Sequence, residues 1–426
     1  MARLIIHGGK RLQGRIKVAG NKNAVLPMLA AAVLTDEPVV LADVPIIDDV
    51  LTMLAILEHL GVSVSLHGRR ATLHARDIRR TTLPRELCSR LRSSILFAGP
   101  MCARVKRATI YPPGGDVIGR RRLDAHFLGL RQLGVSITTS PPYGFRVNTL
   151  RGADIILDEA SVTATENIVM AATLAKGTTT LYNAACEPHV QDLCVMLNRM
   201  GARISGIGTN RLTIEGVHRL RGVQHRVSSD HIEAASFLAA AAVTGGQVIL
   251  DNAPSQPLAV IAPFFRKLNL AWETDGNCVR LKPPYRLKVK NDLGGAIPKI
   301  EDGAWPAFPS DLMSVAIVLA TQTLGPILFF EKMFESRMYF VDRLIEMGAR
   351  IVPCDPHRVI VAGRSRLHGI HMSSPDIRAG MALVIAALCA RGTSCIDNAQ
   401  SIDRGYERIE YRLRSLGADI ERLNRP

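Results

Sequence analysis

Two hydrophobic patterns alternate along this chain, each recurring about every seventy residues. The first couples the apolar end of a helix to a tight turn and the start of a strand. It reads LGVSVSLHG from Leu60, LGVSITTS from Leu133, MGARISGIG from Met200, MGARIVPCD from Met347 and LGADIERL from Leu416. A degenerate copy, LNLAWETDG, starts at Leu268. Glycine just past an apolar helix end suits the left-handed C-cap, which residues with a Cβ enter only at a cost.

The second pattern is an Ala-rich apolar stretch, a small turn and a β-branched strand. Its copies are LAAAVLTDEPVVLADVP, SILFAGPMCARVKRATIYP, IVMAATLAKGTTTLYNAA, FLAAAAVTGGQVILDNAP, VAIVLATQTLGPILFFEKMF and LVIAALCARGTSCIDNAQ. A helix that is apolar nearly all round belongs inside a domain, not on its surface. Six copies of a unit with two helices and several strands predict an α/β protein of two similar halves, three copies to each. The break is expected near His225 to Asp230, where EGVHRLRGVQHRVSSD closes the third unit.

Composition narrows the class. Hydrophobic residues at 47% and charged residues at 21% describe a folded chain. The longest uncharged run, Leu312 to Phe330, is broken by Ser314, Thr321, Gln322, Thr323 and Gly325-Pro326, so it reads as buried helix, turn and strand rather than a membrane span. The apolar run of MARLIIHGGKRLQG is too short for a secretory signal, and a cytoplasmic location is expected. The eight cysteines form no C-x-x-C pair and no zinc spacing, which points to free thiols in a reducing compartment and to no metal.

The net charge of +15 fits nucleic acid, an anionic membrane or small anionic substrates. Aromatic residues are only 5%, with no basic-aromatic alternation for stacking bases, which favours small anions. The common nests are missing: no G-x-x-x-x-G-K-[ST], no G-x-G-x-x-G after a strand, no HExxH and no G-x-S-x-G.

Candidate chemistry therefore sits at the loops of the repeats. Lys22 and Asn23, in VAGNKNAVLPML, precede the first buried helix, where backbone amides and an ammonium make an anion site. An asparagine there equally serves as a plain cap. Arg92 in SRLRSSILF opens another buried helix, and Asp311 in GAWPAFPSDLMS caps a third. Arg337 in FESRMYF, Arg378 in SPDIRAGMAL and Arg404 in SIDRGYERIE fall at turns after repeat strands. Any one of these could be a solvated charge, but equivalent turns aim them at one place. In PPGGDVIGRRRLDAH, Gly114-Gly115 makes a mobile turn and Asp116 is the only acid before three arginines. A carboxyl on a loop closing over a dry, phosphate-lined cleft can act as a proton donor. The alternative is a turn-capping acid beside solvated arginines.

These segments resemble the enolpyruvyl transferases, and among them the branch acting on UDP-N-acetylglucosamine. GNKNAVLP, LRSSILFAGP, PPGGDVIG, SVTATENIVMAATLAKGTTTLYNAACEP, SDHIEAASFLAAA, AFPSDL, FESRMYFVDRLIEMGA, SPDIRAG and SIDRGYERIE occur in family order along the whole chain. The resemblance implies a two-domain inverse α/β barrel built from six β-α-β-α-β-β repeats, with the active site between the domains. The N-terminal strand returns to the second half, so the implied split is 22–229 against 1–21 plus 230–426.

The implied reaction moves the enolpyruvyl group of phosphoenolpyruvate to the 3-hydroxyl of the UDP-sugar with release of phosphate, opening peptidoglycan synthesis. By resemblance Lys22, Arg121 and Arg404 hold the phosphate, Arg337 and Arg378 the carboxylate, with Arg92 nearby. Asn23, Arg92, Arg121, Asp124, Ser161, Asp311 and Met333 address the UDP-sugar, and Asp311 takes the hydroxyl proton. Asp116 stands where many members carry cysteine and is the implied acid, so Asp116, Asp311 and Lys22 form the implied catalytic set. No cofactor, metal, nucleic acid or membrane is implied, and a monomer or weak homo-oligomer is expected.

The departures from the family pattern lie mostly on the nucleotide side. Asp48 replaces a basic residue, Arg122 a proline, Glu159 a lysine and Thr163 a glycine, while Ser336 and Ser401 flank the arginine motifs in place of Asn and His. They leave open an enolpyruvyl transferase for another acceptor, such as a nucleotide. A basic RNA-end-processing or RNA-binding protein is the alternative of another class.

Overall fold

The computed structural model describes residues 2–116 and 118–424. They form two compact units, one of Gly20–Asp116 with Arg121–Ser228, the other of the described parts of 1–19, 117–120 and 229–426. They are called here the middle unit and the terminal unit.

Each unit is organised by three helices buried along most of their length, labelled in chain order. The middle unit holds α1 (Lys22–Ala31), α2 (Ala98–Val105) and α3 (Val162–Ala172). The terminal unit holds α4 (His231–Val243), α5 (Met313–Thr321) and α6 (Ile377–Cys389). In the terminal unit the three pack on one another, and in the middle unit α3 packs on both α1 and α2; each unit has its own apolar core. Small residues permit the close approach: a Cβ on Gly99 of α2 would stand 2.3 Å from the backbone oxygen of Asn167 on α3. No helix among the described residues is long and apolar enough to cross a membrane.

Among the described residues the strands form six small sheets, and the strand after each buried helix is interior to its sheet except Arg107–Ile110 after α2, which lies at an edge. Asp154–Ile156 and Thr178–Tyr182 pair in parallel around α3, Lys299–Glu301 and Ile327–Phe330 around α5, and His371–Ser373 and Thr393–Asp397 around α6. Two connections break this rule. Gln13–Lys17 leads into α1 but pairs with Gln247–Asp251, the strand after α4. Val223–Arg226 leads into α4 but pairs with Val39–Ala42, the strand after α1. The strand before each of these helices is thus built into the opposite unit's sheet.

The repeated turn has the expected conformation. Gly61, Gly134, Gly201, Gly348 and Gly417 have φ between 91° and 102°. In the degenerate copy Asn269 takes the position with φ 59°, as the side chain best tolerated there after glycine.

Phe237 of α4 is fully buried, beneath the Arg412 guanidinium, in the terminal unit. Both tryptophans, Trp272 and Trp305, also lie in that unit, so tryptophan fluorescence reports its unfolding. Phe237→Ala is expected to cost about 3–5 kcal/mol, read as a lower urea midpoint of the fluorescence transition at unchanged slope.

Candidate active site

The middle unit presents its candidates at helix starts. Asn21 caps α1, its Oδ1 accepting from the backbone N–H of Asn23 at 2.8 Å and of Ala24 at 3.3 Å. Lys22 follows, 7% exposed, with Nζ 2.8 Å from Asp49 Oδ2. Asp49 is itself buried in the first turn of helix Asp48–Leu60, while Asp48 beside it is exposed. A buried ammonium needs such a partner, and the sequence alone did not mark Asp49 as one.

Arg92 opens the 3₁₀ turn Arg92–Phe97 that runs into α2, rather than the α-helix itself. Its Nη2 donates to the Arg122 carbonyl at 2.7 Å. Burial, and then the charge of Arg121, push the guanidinium down to about 10. The two arginines are therefore close enough to repel, an arrangement that favours an anion between them. The PPGG turn lies against the same segment: Gly114 N–H donates to the Cys88 carbonyl, and a Cβ on Gly114 would stand 1.7 Å from the Ser89 oxygen. A Cβ on Gly115, at φ 107°, would stand 3.2 Å from Arg92. Asp116 follows at intermediate exposure.

Asp124 starts helix Asp124–Gln132 and is exposed. Arg122 grips it with two hydrogen bonds of 2.6 and 2.8 Å, holding the carboxyl below its usual range. The departure from the family pattern at residue 122 thus occupies the residue expected to meet uracil. Thr163, the next departure, accepts or donates at 3.0 Å to His126 Nε2. His126 is buried, and burial followed by the Arg92 charge pushes it down to about 3. Asn167 completes the cluster, contacting His126 Nδ1, donating to the Ile95 carbonyl and accepting from Gly99 N–H. Ser161 stands at the N-cap of α3, and burial followed by Asp158 raises Glu159 nearby.

The terminal unit gathers its candidates more tightly. Asp311 lies on the 3₁₀ turn Ser310–Leu312 before α5 and bridges two arginines. Arg337 Nη2 donates to Oδ1 at 3.1 Å, and Arg378 Nε to Oδ2 at 3.1 Å. Both arginines are 4% exposed. Arg378 sits in the first turn of α6, capped by Asp376, and not in a turn after a strand as the sequence pattern suggested. Burial works against its charge, but Asp311, Tyr406 and Asp230 together outweigh it and raise the guanidinium above its ordinary value. Arg337 Nε and Nη1 and Arg378 Nη1 have no hydrogen-bond partner among the described residues. Buried guanidinium donors left open in this way suit an incoming carboxylate or phosphate.

Around them, Tyr406 lies under Arg378 at 5.5 Å, and His231 at the start of α4 stacks edge-on against Trp305. Burial pushes His231 down to about 4, Asp311 opposing in part. Arg404 is half-buried at the end of helix Gln400–Asp403, and Met333 is partly exposed. Ser401 bonds Ser374 at 2.6 Å. Sequence reasoning missed Asp49, the His126–Asn167 cluster, and Asp302 and Glu331, fully buried near Arg337. A polar residue inside an apolar run was the available signal for Asn167 alone.

One other group of metal-ligand types, His371, Cys395 and Asp397, lies on a sheet face of the terminal unit. Both oxygens of Asp397 are already taken, by Arg3 at 2.5 Å and His371 at 2.6 Å. Those contacts give the group a structural account without an ion.

The model of the EPSP synthase (3-phosphoshikimate 1-carboxyvinyltransferase) family matches residues 6–413. Among curated proteins, UDP-N-acetylglucosamine 1-carboxyvinyltransferase of Treponema denticola is 51% identical over 99% of both chains. The protein of that name from Bradyrhizobium diazoefficiens is 52% identical over 98% of this chain and 97% of its own. Among solved structures, the enolpyruvyl transferase NikO from Streptomyces tendae aligns with a TM-score of 0.87 at 23% identity, over 100% of this chain and 99% of that one. EPSP synthase from Acinetobacter baumannii aligns at 0.76 and 19%, over 99% and 100%.

His231 supplies a test of this electrostatic picture. Its folded pKa is lowered below the ordinary value near 6.5, so between about pH 4 and 6.5 the unfolded chain binds the extra proton. Stability should rise with pH across that window, and His231→Gln should remove up to about 1.4 kcal/mol per pH unit of the slope. Urea midpoints from tryptophan fluorescence at stepped pH measure it; an unchanged slope would mean that His231 titrates normally.

Proposed function

This chain belongs to the EPSP synthase family of enolpyruvyl transferases, and on that premise we propose that it transfers the enolpyruvyl group of phosphoenolpyruvate to the 3-hydroxyl of UDP-N-acetylglucosamine. Phosphate is released, and the product opens peptidoglycan synthesis. The full-length likeness to carboxyvinyltransferases named for that acceptor carries the reading, and the open guanidinium donors supply chemistry consistent with it. The substrates are small anions, and neither nucleic acid nor membrane is a partner. We place the reaction in the cytoplasm.

The roles are those that the resemblance implies, and charge and protonation are consistent with them. Arg337 and Arg378 take the carboxylate of phosphoenolpyruvate through their unpartnered N–H groups, with Arg92 as a further cation. Lys22, Arg121 and Arg404 take its phosphate. Asn23, Ser161 and Met333 contact the UDP-sugar, and Asp124 meets the uracil once Arg122 shares or releases it. In the addition step the sugar hydroxyl attacks C2, its proton passes to Asp311, and Asp116 delivers a proton to C3. In the elimination step the Asp116 carboxylate takes a proton from C3, the double bond re-forms and the C2–O bond breaks to release phosphate. Fixed cations matter because two anions must meet and a phospho-lactyl intermediate must be held.

The contacts of Asp311 fit this sequence. Its two oxygens take other donors of the same two arginines, beside the open ones. Arrival of phosphoenolpyruvate gives the arginines another acceptor and leaves Asp311 available as base.

Phosphate release from phosphoenolpyruvate, measured with UDP-N-acetylglucosamine, UMP, shikimate 3-phosphate or no acceptor, tests the assignment. Release is expected with the UDP-sugar alone, and Asp116→Ala should lower kcat by roughly 10²–10⁴-fold, the usual worth of a general acid. Release with a different acceptor alone would move the assignment to another enolpyruvyl transfer. Fosfomycin, which alkylates a thiol, should leave residue 116 unmodified, because a carboxyl stands there; an adduct on Asp116 in the mass spectrum would refute the point.

A further inference from the structure

Glu331 follows strand Ile327–Phe330 and is fully buried. The Ser310 hydroxyl lies 2.8 and 3.0 Å from its two oxygens. The Phe334 N–H donates to Oε1 at 3.2 Å, and Arg337 Nε stands 4.0 Å from Oε2. One carboxyl therefore ties together the turn that carries Asp311 and the turn that carries Arg337. Nothing in the proposed reaction uses it.

We propose that Glu331 is a positioning residue that seats Arg337 as a neutral acid, so that the charge of the guanidinium remains available to the substrate carboxylate. The inference rests on the reading that Arg337 binds phosphoenolpyruvate.

The proton is required by a second buried carboxyl. Asp302 is fully buried, its Oδ1 accepts from Lys332 N–H at 2.5 Å, and its Oδ2 has no other partner among the described residues. Two neighbouring carboxylates in a dry interior cannot both ionise at neutral pH. Burial first, and Asp302 second, push Glu331 up to about 9. The geometry agrees: an ionised Glu331 would be expected to bond Arg337 Nε, yet that N–H stays open at 4.0 Å. The other titratable groups around Glu331 are Arg337 itself, Asp311 beyond it, and His357, whose Nδ1–H donates to the Glu331 backbone carbonyl. With Glu331 neutral, Asp311 is the carboxylate that hydrogen-bonds Arg337 and Arg378. An ionised Glu331 would bring a second anionic acceptor to Arg337 Nε before any substrate arrived.

Steady-state kinetics of Glu331→Gln, Glu331→Leu and Arg337→Ala, over about pH 6 to 9.5, decide the matter. The amide copies a neutral acid, so near pH 7 Glu331→Gln should stay within about threefold of the parent in kcat and in both KM values. Glu331→Leu removes the tie and should raise the KM for phosphoenolpyruvate by about tenfold or more, with the KM for the UDP-sugar nearly unchanged. Above about pH 8 the parent's KM for phosphoenolpyruvate should climb as Glu331 ionises, while that of Glu331→Gln follows a flatter curve. If Glu331→Leu fails to fold, the comparison of parent with Glu331→Gln across pH decides alone. Loss in Glu331→Gln as large as in Glu331→Leu, or parallel pH curves, would overturn the proposal while a weakened Arg337→Ala left the function reading standing. Parental affinity for phosphoenolpyruvate in Arg337→Ala would instead remove the reading beneath it.

Discussion

A helix buried along most of its length meets a site chiefly at its ends, and that constraint organises this molecule. Each of the six buried helices begins at, or shortly after, a residue described at the sites above. Lys22 and Asn23 start α1, Arg92 lies on the turn entering α2, Ser161 caps α3, His231 starts α4, Asp311 lies on the turn entering α5, and Arg378 is in the first turn of α6. The apolar lengths fix where these ends stand, so the core and the chemistry are specified by the same segments. Two of the ends go against local preference. A cation in the first turn opposes the helix dipole, yet Lys22 and Arg378 are both there and both buried. Each is held by an acid from elsewhere in its unit, Asp49 and Asp311, so the unfavourable placement is offset by tertiary contacts. Violations of a local rule that the fold must compensate are where function is to be sought.

The same logic explains why Asp311 is central to the terminal unit. One carboxylate satisfies part of two buried guanidinium groups and leaves three of their donors open. Full satisfaction would favour stability and leave nothing for an anion to gain. Partial satisfaction keeps the arginines folded in place while retaining affinity for a second acidic group. The neutral histidines fit this arrangement, since burial keeps His126 and His231 from adding positive charge.

Most of the architecture is local in origin and was therefore legible. Apolar runs declare the buried helices, and Gly61, Gly134, Gly201, Gly348 and Gly417 mark the turns. The candidate cations were legible as residue types beside those helices, and the resemblance to enolpyruvyl transferases assigned them roles. Their partners were not legible. PIIDDV offers two adjacent aspartates, and only the packing of helix Asp48–Leu60 turns Asp49 toward Lys22. Glu331 and Asp302 look like ordinary strand-end acids until tertiary contacts bury both. The bidentate grip of Arg122 on Asp124 was likewise hidden, because the spacing shows a charge pair but not its geometry.

The exchange of strands before α1 and α4 has a bearing on how the chain is made. Ala2–His7 leaves the ribosome long before its partners Thr393–Asp397 and Asp419–Asn424, with His7 separated from Thr393 by 386 positions. At about 5–20 residues per second its neighbours arrive tens of seconds later. The middle unit, by contrast, can close as soon as Val223–Arg226 pairs with Val39–Ala42. Until those partners are made, the strands Ala2–His7 and Gln13–Lys17 present open edges. The basic residues in and between them, Arg3, Lys10, Arg11, Arg15 and Lys17, disfavour edge-to-edge association during the wait.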